Sequence, residues 1–208
     1  MSGMRRKDSE SGFHHVMMRG VVQKNLFHKP TDYEYFMNLL FEYKKKFGTH
    51  IYHYCLMTNH IHLILRTDSL AELGLYAHFV QRRYAYQYRR VYDWKGQVFQ
   101  HNFKNAPIET DAYMAECGRY IERNPVNGGI VNKPEDYAYS SYHYYAFGQS
   151  DLLVTESPVY AGLGRTPEER QLAYRIYATV ARDYEIPDFI HEKLRKAKLK
   201  ELSALMAN

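Results

Sequence analysis

The chain has 208 residues, enough for one domain with a substantial core and an appended segment. Its two cysteines, Cys55 and Cys117, are too few for a disulfide framework and lack the paired spacing of a structural zinc site, which excludes a small disulfide-rich secreted protein and favours a reducing cytoplasm. No stretch has the apolar length of a signal-peptide core or a membrane span, so we expect a soluble protein that is not exported.

The charge balance favours a polyanionic partner. Lys and Arg number 28 against 23 Asp and Glu, a formal net charge of +5. The chain also contains 21 tyrosines and 10 phenylalanines, and this mixture is typical of proteins that neutralise phosphates and stack unpaired bases, although many of these rings are expected in the core.

The first predicted elements follow a polar leader, residues 1–12, which we expect to be disordered. Residues 13–20 read as a strand that ends in a glycine turn. A helix is then predicted to begin at an N-cap formed by Thr31 and Asp32 and to end at Gly48. Its apolar residues recur at helical spacing at Tyr33, Phe36, Leu40, Tyr43 and Phe47.

A β-hairpin is predicted next, with residues 50–57 joined through Thr58 and Asn59 to an apolar strand that carries His60 and His62. Side chains two residues apart on a strand share a face, with Cα atoms roughly 6.6 Å apart, so these two imidazoles can bind one metal ion. The alternative is a pair of histidines that only hydrogen bond to neighbours, because His-x-His also occurs by chance. A metal site therefore requires a third ligand.

A long helix is predicted from Ser69 to Tyr92. Its buried stripe is expected at Leu73, Tyr76, Val80, Tyr84 and Tyr88. Its positive charges are Arg82, Arg83, Arg89 and Arg90, which either contact phosphates or form a solvated face. Residues 103–109 can form a further strand.

The next helix is predicted to begin at Thr110 and Asp111 and to end at Pro125. Because a residue before proline is disfavoured in helical conformation, Asn124 is expected in or just beyond the last turn. Tyr120 and Asn124 lie four residues apart, on one helix face. In the structural interpretation, Tyr120 is a core aromatic residue and Asn124 ends the helix. In the functional interpretation, the Asn124 oxygen is a third ligand for a divalent cation and Tyr120 faces a bound phosphate.

After a loop over residues 148–164, a helical hairpin is predicted. Thr166 supplies its N-cap and Pro167 its first helical residue. The second arm, from Asp188, is basic and either binds phosphate or is solvated.

Five segments in this order resemble one protein family. They are residues 13–20, FHHVMMRG; 56–63, LMTNHIHL; 96–104, GQVFQHNFK; 118–126, GRYIERNPV; and 136–142, DYAYSSY. The chain resembles the REP-associated tyrosine transposases, a bacterial branch of the HUH single-tyrosine (IS200-like) transposases, over residues 13–148. It departs from the family pattern at Thr58, where a proline is common.

The resemblance implies an α+β fold, a ferredoxin-like sandwich with an antiparallel sheet, to which residues 149–208 add a C-terminal helical extension. It implies that His60, His62 and Asn124 bind Mg²⁺ or Mn²⁺ and that Tyr120 is the nucleophile. The implied reaction is single-stranded DNA cleavage and strand transfer through a 5′-phosphotyrosine, at palindromic REP-type hairpins. The resemblance further implies that the protein is bacterial and nucleoid-associated and that it acts as a monomer or a homodimer.

Candidates for contacts to the DNA backbone are Arg82, Arg83, Arg89, Arg90, Lys104, Arg119 and Arg123. Three other functions stay open at this point. One is a hairpin-binding module that breaks no bond, such as an aromatic platform on a sheet. The others are a hydrolase in which a metal ion activates water, and a domesticated family member that regulates its host.

Overall fold

The computed structural model describes residues 8–179. Within that range, four strands and five α-helices follow one another along the chain. They are β1 (Phe13–Arg19), α1 (Pro30–Phe47), β2 (His50–Met57), β3 (His60–Arg66), α2 (Leu70–Tyr92), β4 (Lys104–Pro107), α3 (Asp111–Asn127), α4 (Tyr142–Phe147) and α5 (Pro167–Thr179). Short 3₁₀ turns lie at Val21–Gln23, Pro134–Asp136 and Tyr160–Leu163.

The four strands form one antiparallel sheet in the order β2-β3-β1-β4. With α1 after β1 and α2 after β3, this is the predicted ferredoxin-like arrangement. In the ladder between the two central strands, His60 lies opposite Arg19 and His62 opposite Met17. Because directly opposite residues share a face of the sheet, the register decides which β1 side chains accompany the two histidines.

One face of the sheet is covered by α1 and α2. The predicted helical stripe of α2 is buried there in full, since Leu73, Tyr76, Val80, Tyr84 and Tyr88 are all at most 2% exposed. The helix begins where expected, because the Ser69 hydroxyl accepts the N–H of Glu72 at 3.2 Å. The larger apolar core of the molecule lies between these helices and the sheet.

The other face is covered by α3, which packs Met114, Cys117 and Ile121 against the sheet. A glycine permits this close approach. A Cβ atom added at Gly118 would lie 2.8 Å from the imidazole ring of His53 on β2, closer than packed atoms approach. This face carries His60 and His62.

Pro125 does not end α3, contrary to the sequence-based prediction, because the helix continues to Asn127. Proline lacks the N–H that would bind the carbonyl of Ile121 four residues earlier. The side-chain amide of Asn124 replaces that donor, with Nδ2 3.3 Å from the Ile121 oxygen and 2.9 Å from the Tyr120 oxygen. Asn124 is therefore inside the helix.

Two other boundaries differ from the sequence-based predictions. The first helix begins at Pro30, ahead of Thr31, and the Asp32 carboxylate accepts the N–H groups of His28 and Lys29 at 2.8 and 3.1 Å. Strand β4 covers four residues only, and it ends where Pro107 has no N–H to offer the ladder.

The described part of the C-terminal extension packs on the outer side of α3. Helix α5 begins after Thr166 as predicted, and its Tyr174 hydroxyl donates to Glu122 of α3 at 2.6 Å. Glu122 has no solvent exposure and also accepts from Ser141 at 2.6 Å and from His53 at 3.0 Å. The predicted second arm from Asp188 lies outside the described residues.

Candidate active site

His60 and His62 share one face of β3, as strand alternation predicts. Their ring centroids are 4.9 Å apart and the rings are perpendicular. His62 is 1% exposed, whereas His60 lies at the end of the strand and is partly exposed. The pair therefore lies on the α3 face of the sheet, with only His60 partly accessible to solvent.

The neighbouring asparagine fixes which nitrogen of His60 carries a proton. Asn59 donates its amide nitrogen to the Gln23 carbonyl at 3.3 Å, so its oxygen faces His60 and accepts from Nδ1 at 2.6 Å. The Nε2 lone pair of His60 is then available to a ligand. Burial, with the nearby charge of Arg19, lowers the pKa of His60 to about 4, which keeps the ring neutral at pH 7.

His62 is oriented by a histidine that the sequence analysis did not select. His15 on β1 is fully buried, and its Nε2 lies 3.0 Å from Nδ1 of His62. The two rings are 5.2 Å apart at 40°. His15 thus fixes the rotation of the His62 ring, leaving Nε2 of His62 as the nitrogen not used in this contact.

Tyr120 and Asn124 face this pair from α3. The Tyr120 ring lies 6.0 Å from the His62 ring and perpendicular to it. Asn124 is 8% exposed, and its side chain lies within hydrogen-bonding reach of both His60 and Tyr120. The four residues selected from the sequence are thus brought together by one strand and one helix.

Burial raises the pKa of the Tyr120 phenol above its usual value. The positive charge of Arg19 acts in the opposite direction. The phenol is therefore protonated at neutral pH and needs further stabilisation of its anion before it can act as a nucleophile.

The donor set fits a divalent cation. Two neutral imidazoles and an amide oxygen suit Mg²⁺ or Mn²⁺ when water and phosphate oxygens complete the shell. No cluster of three His, Cys, Asp or Glu side chains with metal-binding geometry occurs within residues 8–179.

The predicted DNA-contact cations do not form one surface. Lys104 lies opposite Met17 in the β1–β4 ladder, on the same face as His62. The four arginines of α2, namely Arg82, Arg83, Arg89 and Arg90, are exposed, but α2 covers the opposite face of the sheet.

Of the two predicted arginines of α3, Arg119 is buried and Arg123 is half-buried. Arg119 is 6% exposed and donates to Glu116 at 3.0 Å. Arg123 donates to the Ala178 carbonyl of α5 at 2.8 Å. The structure therefore gives both side chains contacts within the protein that the sequence did not indicate.

Residues 10–124 match the model of the family described as "Transposase IS200 like", and all four site residues lie in that range. A solved structure of a REP-associated tyrosine transposase bound to a REP hairpin superposes with a TM-score of 0.60 at 18% identity, covering 76% of this chain and 93% of that one. A crystal structure of a candidate transposase from Deinococcus radiodurans R1 gives a TM-score of 0.41 at 13% identity, over 59% and 97% of the chains. A search of curated proteins gave no match.

Proposed function

We propose that this chain, which belongs to the IS200-like transposase family, cleaves and rejoins single-stranded DNA beside palindromic hairpins through a covalent bond to Tyr120. The observation that carries the proposal is the meeting of Tyr120 and Asn124 on α3 with His60 and His62 on β3. A sheet that only bound bases would not require this set of side chains together. A structural neighbour is described as bound to a REP hairpin, which supports a hairpin substrate of that type.

In the proposed reaction, the Tyr120 oxygen attacks the phosphorus of one phosphodiester in line with the 3′ oxygen that leaves. The phenol gives up its proton, the O3′–P bond breaks as the Tyr–O–P bond forms, and the departing 3′ oxygen takes up a proton. The products are a 5′-phosphotyrosine and a free 3′-hydroxyl. Because no water is consumed, attack by a 3′-hydroxyl on the phosphotyrosine reverses the step and joins strands without ATP.

His60, His62 and Asn124 are the residues that would hold Mg²⁺ or Mn²⁺. When bound, such a cation would neutralise charge on a non-bridging phosphate oxygen and polarise the phosphorus. Asn59 and His15 keep the two imidazoles in fixed orientations toward that position. Asn124 also lies within reach of the Tyr120 hydroxyl.

Covalent capture tests the proposal directly. A library of single-stranded hairpins with randomised flanks, labelled at the 5′ or the 3′ end, is incubated with the protein and Mn²⁺. We expect an adduct that survives SDS, that carries only the 3′ label, and that leaves a second fragment with an extendable 3′-hydroxyl. Tyr120→Phe is expected to abolish the adduct.

The matched control is Tyr113→Phe, another partly buried tyrosine on α3, whose hydroxyl has no hydrogen-bond partner among the described residues. We expect this variant to retain the adduct. Free DNA ends without an adduct would instead support hydrolysis by activated water, and binding without cleavage would support a hairpin-binding regulator. Full cleavage by Tyr120→Phe would refute the assignment of the nucleophile.

A further inference from the structure

Arg19 occupies a position in the site that none of the predicted DNA contacts shares. It is the last residue of β1 and lies directly opposite His60 in the ladder with β3. Opposite residues share a face, so the Arg19 side chain projects on the α3 face, beside the two histidines. Its positive charge lies near enough to act on both His60 and Tyr120.

The guanidinium is poorly satisfied within the protein. Its Nε atom is buried and has no hydrogen-bond partner among residues 8–179, and no carboxylate of that range forms a salt bridge with Arg19. A buried N–H of a charged group without an acceptor is costly. An acceptor that entered the site from outside would satisfy this N–H, and the positive charge favours an anion.

The backbone around Arg19 is firmly held. The Arg19 carbonyl accepts the N–H of Gln100 at 2.8 Å, and the N–H of Gly20 donates to the Asn59 carbonyl at 2.9 Å. The chain turns at Gly20 so tightly that a Cβ there would lie 2.1 Å from the Lys24 carbonyl oxygen. The contact through Asn59 also ties this turn to the residue that orients His60.

We propose that the guanidinium of Arg19 binds a non-bridging oxygen of the phosphate that Tyr120 attacks, an assignment that rests on the proposed function. The planar fork of an arginine, Nε–H together with an Nη–H, matches two phosphate oxygens. A fixed positive group at this place stabilises the charge that builds on the phosphoryl oxygens as the Tyr–O–P bond forms. Arg19 is thus a catalytic residue in the sense that it touches the reacting group.

The first test couples Arg19 to the charge of the scissile phosphate. Arg19→Ala is expected to slow adduct formation on an ordinary phosphodiester by about 100-fold or more, the usual loss for one such donor. The second substrate carries a neutral methylphosphonate in place of the scissile phosphate. For one of its two diastereomers, we expect Arg19→Ala to slow adduct formation by no more than about threefold, because a methyl group replaces the oxygen that Arg19 would contact. An equal loss on all substrates would overturn the proposal.

Two further variants separate this role from a structural one. Arg19→Lys keeps the charge but not the fork, and we expect adduct formation between the rates of wild type and Arg19→Ala with an unchanged melting temperature. Arg165→Ala removes an exposed arginine that has no part in the site and should leave the rate unchanged. If Arg19→Ala forms the adduct at the wild-type rate, the inference about Arg19 is wrong, and the assignment of Tyr120 as the nucleophile is unaffected.

A second experiment tests phosphate binding by Arg19 without DNA cleavage. In a ¹⁵N-labelled protein, the Nε–H resonance of Arg19 is identified by its absence from Arg19→Lys and followed by NMR as inorganic phosphate is added. We expect this resonance to shift with saturation, and a resonance that does not move would overturn the proposal. If wild type forms no covalent adduct, the proposed function fails, and this titration still decides whether Arg19 binds a phosphate.

Discussion

The orientation of His62 depends on a residue from a different strand. His15 holds Nδ1 of His62 at 3.0 Å, although the two residues are 47 positions apart in the chain. Partners of this kind in metal sites fix the ring orientation and raise the basicity of the ligand. The sequence contains His15 beside His14 with no sign of which one faces the site, because that depends on the register of β1 against β3.

We expect His15→Phe to lower the affinity for Mn²⁺ by about 10- to 100-fold, the usual effect of losing such a partner. Isothermal titration of Mn²⁺ measures this directly. The matched control is His14→Phe, since His14 faces the other side of the sheet and contacts Asn105. Equal Mn²⁺ affinities of wild type and His15→Phe would show that His62 does not need this contact.

At the scale of the elements, the positions of most strands and helices follow from local pattern. The hairpin of β2 and β3, the buried stripe of α2 and the N-cap of α3 by Thr110 are confirmed, because each depends on residues close together in the chain. The end of α3 was predicted wrongly because a side chain, that of Asn124, replaces the backbone donor that proline lacks. Propensity rules consider the backbone alone and miss such a substitute.

The fit of α3 against the sheet leads to a prediction at Gly118. We expect Gly118→Ala to destabilise the protein by roughly 1–2 kcal/mol, because a clash with the His53 ring outweighs the better helix propensity of alanine. The shift of α3 should also reduce adduct formation by Tyr120, which lies two residues further on.

Urea unfolding and the capture assay measure these two effects. Gly162→Ala is the control, because a Cβ atom at Gly162 would meet open space and the backbone there does not require glycine. If Gly118→Ala unfolds at the same urea concentration as wild type, the close approach of α3 does not limit stability.

At the scale of the whole molecule, one chain supplies both halves of the site. Helix α3 packs against β2 and β3 of its own chain and is fixed from outside by α5 through Glu122 and Tyr174. Losing one hydrogen-bond partner of a buried carboxyl group costs about 1–3 kcal/mol. The sequence did not predict this docking, because Glu122 reads as an ordinary polar residue of an exposed helix face.

We therefore expect Tyr120 to act on DNA held by the histidines of its own chain. In a mixture of Tyr120→Phe with His62→Ala, neither chain holds a complete site, and we expect no covalent adduct. A mixture of wild type with either variant controls for inhibition. An adduct that reappears in the mixture of the two variants would mean that chains exchange α3.

No helix of residues 8–179 is both long and apolar enough to cross a membrane.

The ferredoxin-like core is the part that the order of predicted elements anticipated correctly, since strand and helix patterns alternate clearly over that range. The position of the α2 arginines on the far face was not anticipated, because a helix pattern does not say which side of a sheet it covers.

The interruption at Pro125 has a chemical consequence for the neighbouring amide. An unconstrained asparagine can swap its oxygen and nitrogen by a half-turn about its last bond, and would then present N–H groups to a cation. Here the nitrogen is occupied by the two carbonyls of α3, so a half-turn would break both hydrogen bonds. Pro125, which has no peptide N–H, leaves a carbonyl of α3 free to bind the Asn124 nitrogen. It is therefore the side-chain oxygen of Asn124 that a cation would meet.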